Sequence, residues 1–136
     1  MKNIVAIIPA RGGSKRLPAK NIYPVCGKPM IEYTISACNS SKYNIEVWVS
    51  TDCEKIKKVA SELGTFVHDR SKINSKDSAF KQAAIREAAN YIIESKSGVV
   101  PDIFLSVQAN SPTISSKEID SCIDALIEYN RDEIIS

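Results

Sequence analysis

The 136-residue sequence has little of the material from which metal sites, disulfide frameworks and membrane segments are built. No two of its four cysteines form a Cys-x-x-Cys step, and His68 is the single histidine. We therefore predict no zinc site and no disulfides, and interpret Cys26, Cys38, Cys53 and Cys122 as thiols of a reducing compartment. Apolar runs are short and no charged leader precedes one, so neither a signal peptide nor a membrane span is expected. These absences favour a cytoplasmic protein.

The sequence also has little excess of either charge. It contains 18 basic and 16 acidic residues, which gives a formal net charge of +2. Such a balance gives no overall field that would recruit nucleic acid or a membrane surface, and we predict neither as a partner. A hydrophobic fraction of 43% is enough for a single core at this length. Residues 1–136 are therefore predicted to form one domain.

The most informative stretch is an apolar strand that runs into a basic, glycine-containing loop. Residues 4–8 are apolar and partly β-branched, as is typical of a buried strand. Gly12 and Gly13 allow the backbone to approach an anion closely, so that successive amides can face phosphate oxygens. The cations of this loop are Arg11, Lys15, Arg16 and Lys20. A solvated surface turn is the alternative, but the position directly after a buried strand favours a ligand site.

Two common phosphate-binding motifs are excluded by spacing. A Walker loop requires Gly-Lys-Ser/Thr, whereas Gly27 and Lys28 are followed by Pro29, and Ile22 stands where the first glycine belongs. The dinucleotide-binding fingerprint requires three glycines at fixed steps, and the paired glycines of the first loop do not provide them. The loop is therefore predicted to bind a polyphosphate in another way.

Hydrophobic periodicity predicts strands that alternate with helices, which indicates an α/β fold with a parallel sheet and helices on both faces. Strands are predicted at residues 4–8, 45–50, 65–68 and 102–108, with another beginning at residue 133. Helices are predicted after Pro29, after Asp52, from Phe80 and after Ser115. Asp52 is predicted to cap its helix, Tyr91 to lie on a buried face, and Asp120 to be a surface residue.

Residues 8–15 (Ile-Pro-Ala-Arg-Gly-Gly-Ser-Lys), with residues 17–22 (Leu-Pro-Ala-Lys-Asn-Ile) and 27–31 (Gly-Lys-Pro-Met-Ile), closely resemble the opening of the acylneuraminate cytidylyltransferases. These are the CMP-sialic acid synthetases and their relatives for legionaminic and pseudaminic acids. The resemblance implies a Rossmann-like nucleotidyltransferase fold, with a mostly parallel sheet flanked by helices. It also implies a CTP-dependent enzyme that activates a nonulosonic acid. Members of the family continue past residue 136, so we expect this chain to stop before the C-terminal part of the family domain.

The resemblance also implies which residues of the chain serve the site. The implied nucleotide-binding residues are Ala10, Arg11, Gly12, Gly13, Ser14, Lys15, Lys20, Asn21 and Arg70. Among them, Arg11 and Lys20 are the implied catalytic residues, which stabilise charge as pyrophosphate leaves. The implied sugar-binding residues are Gln108, Asn110 and Ser111. Mg²⁺ is the implied cofactor, with ligands mainly beyond residue 136, and the whole protein is expected to be a homodimer.

Two other interpretations stay open. The first is a synthetase for ketodeoxyoctonate. Such enzymes usually carry an aspartate that holds magnesium in the turn after the strand predicted at residues 102–108, where this chain has Asn110 and Ser111. An amide is a poorer magnesium ligand, which favours a nine-carbon acid over the eight-carbon one. The other interpretation is a non-catalytic nucleotide-binding domain, because the sugar-binding arginines and the dimerisation segment of the family lie beyond residue 136.

Overall fold

The structure is a computed structural model that describes residues 3–10, 24–69, 81–108 and 115–128. Its strands are β1 (Ile4–Pro9), β2 (Pro24–Val25), β3 (Lys28–Pro29), β4 (Ile45–Thr51), β5 (Phe66–Asp69) and β6 (Ile103–Ser106). Its helices are α1 (Met30–Asn39), α2 (Glu54–Glu62), α3 (Lys81–Ser95) and α4 (Ser116–Glu128). The strand predicted from residue 133 lies outside these ranges. Among the described helices, none has both the length and the apolar character needed to cross a membrane.

Four strands form one parallel sheet in the order β5-β4-β1-β6, which confirms the predicted α/β architecture. From β1 the chain moves to β4 and then outward to β5. It then returns across the sheet to place β6 on the other side of β1. The direction of winding therefore reverses between β1 and β6, and the carboxyl ends of two such strands border a crevice in doubly wound sheets.

β1 is the centre of the sheet because it is buried on both faces. Each residue from Ile4 to Ile8 is at most 1% exposed. Ile4, Ala6 and Ile8 belong to the larger core cluster, together with residues of α1, α2 and α4. Val5 and Ile7 point to the other face and pack with residues of α3. The continuous apolar run in the sequence thus reflects a strand covered by helices on both sides.

The α3 face of the sheet has a smaller core with an aromatic rim. Trp48 packs with Ala88 and Ile92 of α3, and its ring stacks on Phe66 with the centroids 5.1 Å apart. The predicted burial of Tyr91 is wrong, since its side chain is 48% exposed. The reason is that the Tyr91 ring packs edge-on against Trp48, at 5.9 Å, at the rim of the layer and not inside it.

The starts of two helices test the predicted caps. Asp52 was predicted to cap α2, and this is wrong because the N-cap residue is Cys53 and no side chain caps the helix. β4 continues through Thr51, whose hydroxyl accepts the Cys53 N–H at 3.1 Å, and this moves the helix start forward. The capping box of α4 is confirmed, because the Glu118 N–H donates to Ser115 Oγ at 3.3 Å.

The last described helix is tied to the turn between α1 and β4. Ser41 Oγ donates to Asp120, and the Lys42 N–H lies 3.2 Å from the same carboxylate. The Tyr43 hydroxyl donates to Asp124, whose carboxylate also lies 2.9 Å from Lys42 Nζ. Asp120, which was predicted to be a surface position on this helix, is half-buried and in addition accepts these hydrogen bonds from the turn.

Two features near the sheet edge differ from expectation. The predicted strand 102–108 is shorter, and β6 is half-buried where a buried strand was expected. β2 and β3 form an antiparallel hairpin that was not predicted. Its two-residue turn has φ of +52° at Cys26 and +83° at Gly27, the left-handed pair typical of tight hairpins. Asn-Gly is the usual signal for such a turn, and cysteine in the first position hid it.

Candidate functional site

The candidate site lies where β1 and β6 end side by side. The two strands pair in parallel with Ile7 opposite Ser106, and the Val107 N–H then donates to the Ile7 carbonyl at 3.1 Å. Because the winding of the sheet reverses between these strands, their carboxyl ends mark the position at which doubly wound sheets form a crevice. Ligands of open α/β sheets bind at this position. The basic, glycine-containing loop follows one of the two strand ends, and the Gln108 segment follows the other.

Two of the predicted site residues lie within the described part of the chain, Ala10 and Gln108. The others lie outside the described residues: Arg11, Gly12, Gly13, Ser14, Lys15, Lys20, Asn21, Arg70, Asn110 and Ser111. Their assigned roles stay predictions. The structure therefore locates the two strand ends from which the predicted nucleotide and sugar segments start.

On the β1 side, Ala10 is fully buried and its N–H donates to the Ser50 carbonyl at 2.9 Å. The side chain is enclosed, so any contact of Ala10 with a ligand has to come from its main chain. The hydrogen bond extends the β1–β4 pairing by one residue beyond the end of β1. The loop that begins at residue 11 thus starts from a fixed point in the middle of the sheet.

A buried polar network includes Ser50, the residue whose carbonyl binds the Ala10 N–H. Ser50 is fully buried, and its Oγ lies 2.8 Å from His68 Nδ1. His68 is 3% exposed, and its Nε2 lies 3.5 Å from Glu87 Oε2 of α3. The network joins β4, β5 and α3, and it shares Ser50 with the Ala10 hydrogen bond. His68 was interpreted as a structural side chain of a strand end, and its burial between these elements agrees with that role.

On the β6 side, Gln108 is exposed while its main chain is held by a helix. The Gln108 carbonyl accepts a hydrogen bond from Thr34 Oγ1 at 3.0 Å. Thr34 lies in the middle of α1 and is fully buried. Sequence reasoning missed this residue. The available signal was a hydroxyl residue on the face of α1 that also carries Ile31, Ile35 and Cys38.

A solvent-open cleft of about 220 Å³ runs between α1 and the start of α4, lined in part by Lys28, Glu32, Tyr33, Ser36 and Ser115. Lys28 Nζ lies 3.8 Å from Glu32 Oε2, so the two charges offset each other. Desolvation, followed by the nearby Cys26 and Glu32, raises the pKa of Tyr33 and keeps its hydroxyl protonated. The cleft therefore offers no net positive charge comparable with that of the basic loop.

The described residues also bear on the expected cofactor. In residues 3–10, 24–69, 81–108 and 115–128, no group of three or more histidine, cysteine, aspartate or glutamate side chains is arranged to hold a metal ion. The thiol of Cys38 in α1 is buried, and burial raises its pKa to about 11. Such a thiol is protonated at neutral pH and is a poor metal ligand.

A parallel sheet that reverses its winding beside a buried central strand defines an open α/β sheet of the class that binds ligands at the reversal. The comparison with known families narrows this class. The sequence model of the family described as Cytidylyltransferase matches residues 5–135, and the chain belongs to that family. The resemblance inferred from residues 8–31 is thereby confirmed.

Individual relatives agree with this family. The chain is similar to N-acylneuraminate cytidylyltransferase A of Danio rerio, with 37% identity over 135 residues, 99% of this chain and 30% of the relative. It is 36% identical over 132 residues to pseudaminic acid cytidylyltransferase of Campylobacter jejuni, covering 94% of this chain and 54% of the relative. The chain thus spans between about a third and about half of the length of these relatives.

A solved structure supports the fold. The structure of CMP:2-keto-3-deoxy-manno-octonic acid synthetase complexed with CTP matches with a TM-score of 0.71 and 25% identity. The match covers 93% of this chain and 48% of the other. The predicted Rossmann-like nucleotidyltransferase fold, a parallel sheet flanked by helices, is confirmed.

Proposed function

We propose that the protein takes part in the transfer of CMP from CTP to a nonulosonic acid, giving a CMP-sugar and pyrophosphate. The anomeric hydroxyl of the sugar acid attacks the α-phosphorus of CTP, and pyrophosphate leaves in line. Phosphoryl transfer of this kind rests on positioning and on neutralisation of charge, without a covalent enzyme intermediate. The observation that carries the proposal is the Cytidylyltransferase match over residues 5–135.

The β1 side of the crevice is assigned to the nucleotide. The amides of residues 12–15 cradle the triphosphate, and Arg11, Lys15 and Lys20 bring cations to it. Arg11 or Lys20 stabilises the charge that develops on the departing pyrophosphate. Asn21 contacts the ribose or a phosphate, and Arg70 lies by the nucleoside. The fixed position of Ala10 at the end of β1 supports this assignment, because the loop begins one residue later.

The β6 side is assigned to the sugar acid, with Gln108, Asn110 and Ser111 as its contacts. The exposed side chain of Gln108 at the carboxyl end of β6 supports this assignment. Magnesium would neutralise charge on the triphosphate when bound. Its ligands are expected mainly beyond residue 136. The homodimer stays a prediction.

A second candidate substrate is the eight-carbon acid ketodeoxyoctonate, favoured by the structural match to the CTP complex of its synthetase. Asn110 and Ser111 argue against it, since the corresponding turn of those enzymes usually supplies an aspartate to magnesium. Incubation with CTP, Mg²⁺ and each acid in turn, with mass spectrometry of the CMP-sugar, discriminates between the two. Faster turnover of ketodeoxyoctonate than of any nonulosonic acid would reverse the preference.

The central test is CTP binding by the protein expressed from its native gene. CTP should raise the melting temperature more than ATP, GTP or UTP at the same concentration, with and without Mg²⁺, because a ligand that binds only the folded state stabilises it. Stabilisation without CMP-sugar formation would favour the non-catalytic nucleotide-binding domain. No stabilisation by CTP would contradict the proposal altogether.

Lys20→Ala tests the assignment of the basic loop. It should abolish most of the CTP-induced rise in melting temperature and reduce turnover by about 100-fold or more, since it removes a cation from the developing charge. Lys58→Ala is the matched control, because Lys58 is an exposed lysine of α2 and its replacement changes the net charge equally. Equal CTP binding and turnover in the two variants would refute the role of Lys20.

A further inference from the structure

We infer that Thr34 is a positioning residue for the sugar-acid side of the site. The inference rests on the proposed function where it concerns the sugar, and on the structure alone where it concerns the end of β6. Thr34 is not among the residues that the family resemblance assigned. It reaches the site through the main chain of Gln108 and touches neither substrate in this assignment.

The burial of Thr34 shows that its hydroxyl has a specific partner. Thr34 is fully buried in α1, between Ile31 and Ile35, which are 0% and 2% exposed. A hydroxyl in such surroundings is costly unless it is hydrogen-bonded. Threonine in a helix commonly bonds a carbonyl of its own preceding turn, whereas Thr34 Oγ1 donates to the Gln108 carbonyl of another element, at 3.0 Å. The hydroxyl therefore links α1 to the segment after β6.

The partner of this hydrogen bond lies just beyond the last rung of the β1–β6 ladder. β6 ends at Ser106, and the Val107 N–H donates to the Ile7 carbonyl. One residue later, the Gln108 carbonyl accepts a hydrogen bond from the Thr34 hydroxyl. The orientation of the Gln108 peptide is thereby fixed, and the exposed Gln108 side chain leaves the sheet from a defined point. Loss of the hydroxyl should release this end of β6.

The effect should be confined to one side of the crevice. On the β1 side, the Ala10 N–H is held by the Ser50 carbonyl of β4, without any part of Thr34. The nucleotide loop starts from that anchor, and the sugar segment starts from Gln108. A variant that loses only the Thr34 hydroxyl should therefore weaken the use of the sugar acid and leave the binding of CTP unchanged.

Thr34→Val is the test variant because valine has nearly the same shape without the donor, and Thr34→Ser is the control that keeps it. In the protein expressed from its native gene, Thr34→Val should raise the KM for the sugar acid by about tenfold, the factor expected from loss of roughly one hydrogen bond. The KM for CTP should stay within about twofold of the original. Thr34→Ser should restore most of the loss. A purely structural role would instead lower the active fraction and reduce kcat without separating the two KM values.

Amide hydrogen exchange, followed by NMR, tests the same inference without turnover. In Thr34→Val the Val107 amide should exchange about tenfold faster, while the Ala10 amide keeps its rate. Thr34→Ser should keep both rates. Cys38, four residues further along α1 and 1% exposed, should stay as unreactive towards iodoacetamide as before, which shows that the helix remains packed.

The outcomes separate the two proposals. A native protein that makes no CMP-sugar contradicts the proposed function, yet selective exchange at Val107 would still establish the link between Thr34 and β6. A protein that turns over sugar acids normally with Thr34→Val refutes the positioning role and leaves the proposed function standing. Equal acceleration of the Val107 and Ala10 amides would also refute it, because the residue would then stabilise the whole sheet and not one strand end.

Discussion

β1 and β6 end side by side at the crevice, but they are held there in different ways. β1 pairs with strands on both sides, and its residues from Ile4 to Ile8 are buried on both faces. Among the described strands, β6 pairs with β1 alone, and its residues are half-buried or exposed. The end of β1 is fixed by the sheet itself. Beyond the end of β6, the Gln108 carbonyl accepts a hydrogen bond from the hydroxyl of Thr34 in a neighbouring helix.

The difference between the two strand ends bears on the proposed function, in which one end is assigned to the nucleotide and the other to the sugar acid. In the proposed function, the polyphosphate binds to the loop that follows β1, the strand that is buried on both faces. Sugar acids vary among the relatives, as the names N-acylneuraminate and pseudaminic acid cytidylyltransferase indicate. A strand end that pairs with a strand on one side, among those described, and is half-buried can be adjusted with less disturbance of the core. We therefore expect the β1 side to tolerate less change than the β6 side.

The largest effect that tests this comparison is expected in the core. Ile8→Ala removes a fully buried side chain from β1 and should lower the free energy of unfolding by about 2–5 kcal/mol. Leu105→Ala, in the half-buried β6 and against the same core cluster, should cost about half as much or less. Urea unfolding of both variants measures the two losses. Equal losses would mean that β6 is as firmly built into the sheet as β1.

The sequence predicted the helices and strands whose side chains show a clear hydrophobic period. The prediction was wrong or incomplete where a residue distant in the sequence determines the local structure. The apolar run of residues 4–8 has one interpretation, a strand buried on both faces, and β1 confirms it. The predicted cap at Asp52 failed because pairing with β5 carries β4 on to Thr51. Thr34 was not recognised because its partner lies 74 positions away along the chain.

The candidate site was predicted through its resemblance to a family more than through its physics. Glycines and cations in the first loop indicate an anion, but they do not distinguish CTP from other polyphosphates. The strand order supplies what the sequence could not, namely that β1 and β6 are neighbours and that their carboxyl ends lie side by side. Periodicity predicts that strands are parallel, but it does not determine which strand lies beside which.

An intermediate effect on stability is expected when the buried network of Ser50, His68 and Glu87 is disrupted. Ser50→Ala removes the hydroxyl that bonds His68 Nδ1 and should lower the free energy of unfolding by about 1–3 kcal/mol. It should also speed the exchange of the Ala10 amide, which is bonded to the carbonyl of the same residue. The matched control is Ser106→Ala, in which an exposed serine at the end of β6 is replaced, with a change within about 0.5 kcal/mol.

If Ser50→Ala and Ser106→Ala have equal effects on stability and on the Ala10 amide, the network does not support the β1 end. The distinction between the two strand ends would then rest on pairing alone. If Ser50→Ala instead weakens the CTP-induced thermal shift while Thr34→Val does not, the result supports the assignment of the β1 end to CTP and of the β6 end to the sugar acid. The two variants together thus test both sides of the crevice with the same measurements.

The smallest effect is expected where α4, the helix that follows the β6 side, is tied to the turn before β4. Hydrogen bonds from Tyr43 and Lys42 hold the pKa of Asp124 below its ordinary value of 3.8. A carboxyl whose pKa is lowered by folding stabilises the folded state above its ordinary value, and this stabilisation is lost as the pH falls through the lowered value. Asp124→Asn should therefore melt slightly below the original protein at pH 7. The gap should close as the pH falls below 3.8.

High salt should also narrow this gap, because the pair of Lys42 and Asp124 is exposed to solvent and is screened by ions. Glu128→Gln is the matched control, since Glu128 is an exposed carboxylate at the end of the same helix. A gap that is constant from pH 7 to acid pH would show that the charge of Asp124 does not hold the turn. In that case α4 would be held by its apolar face, through Ile119 and Ile123, and the turn before β4 would contribute nothing to the β6 side.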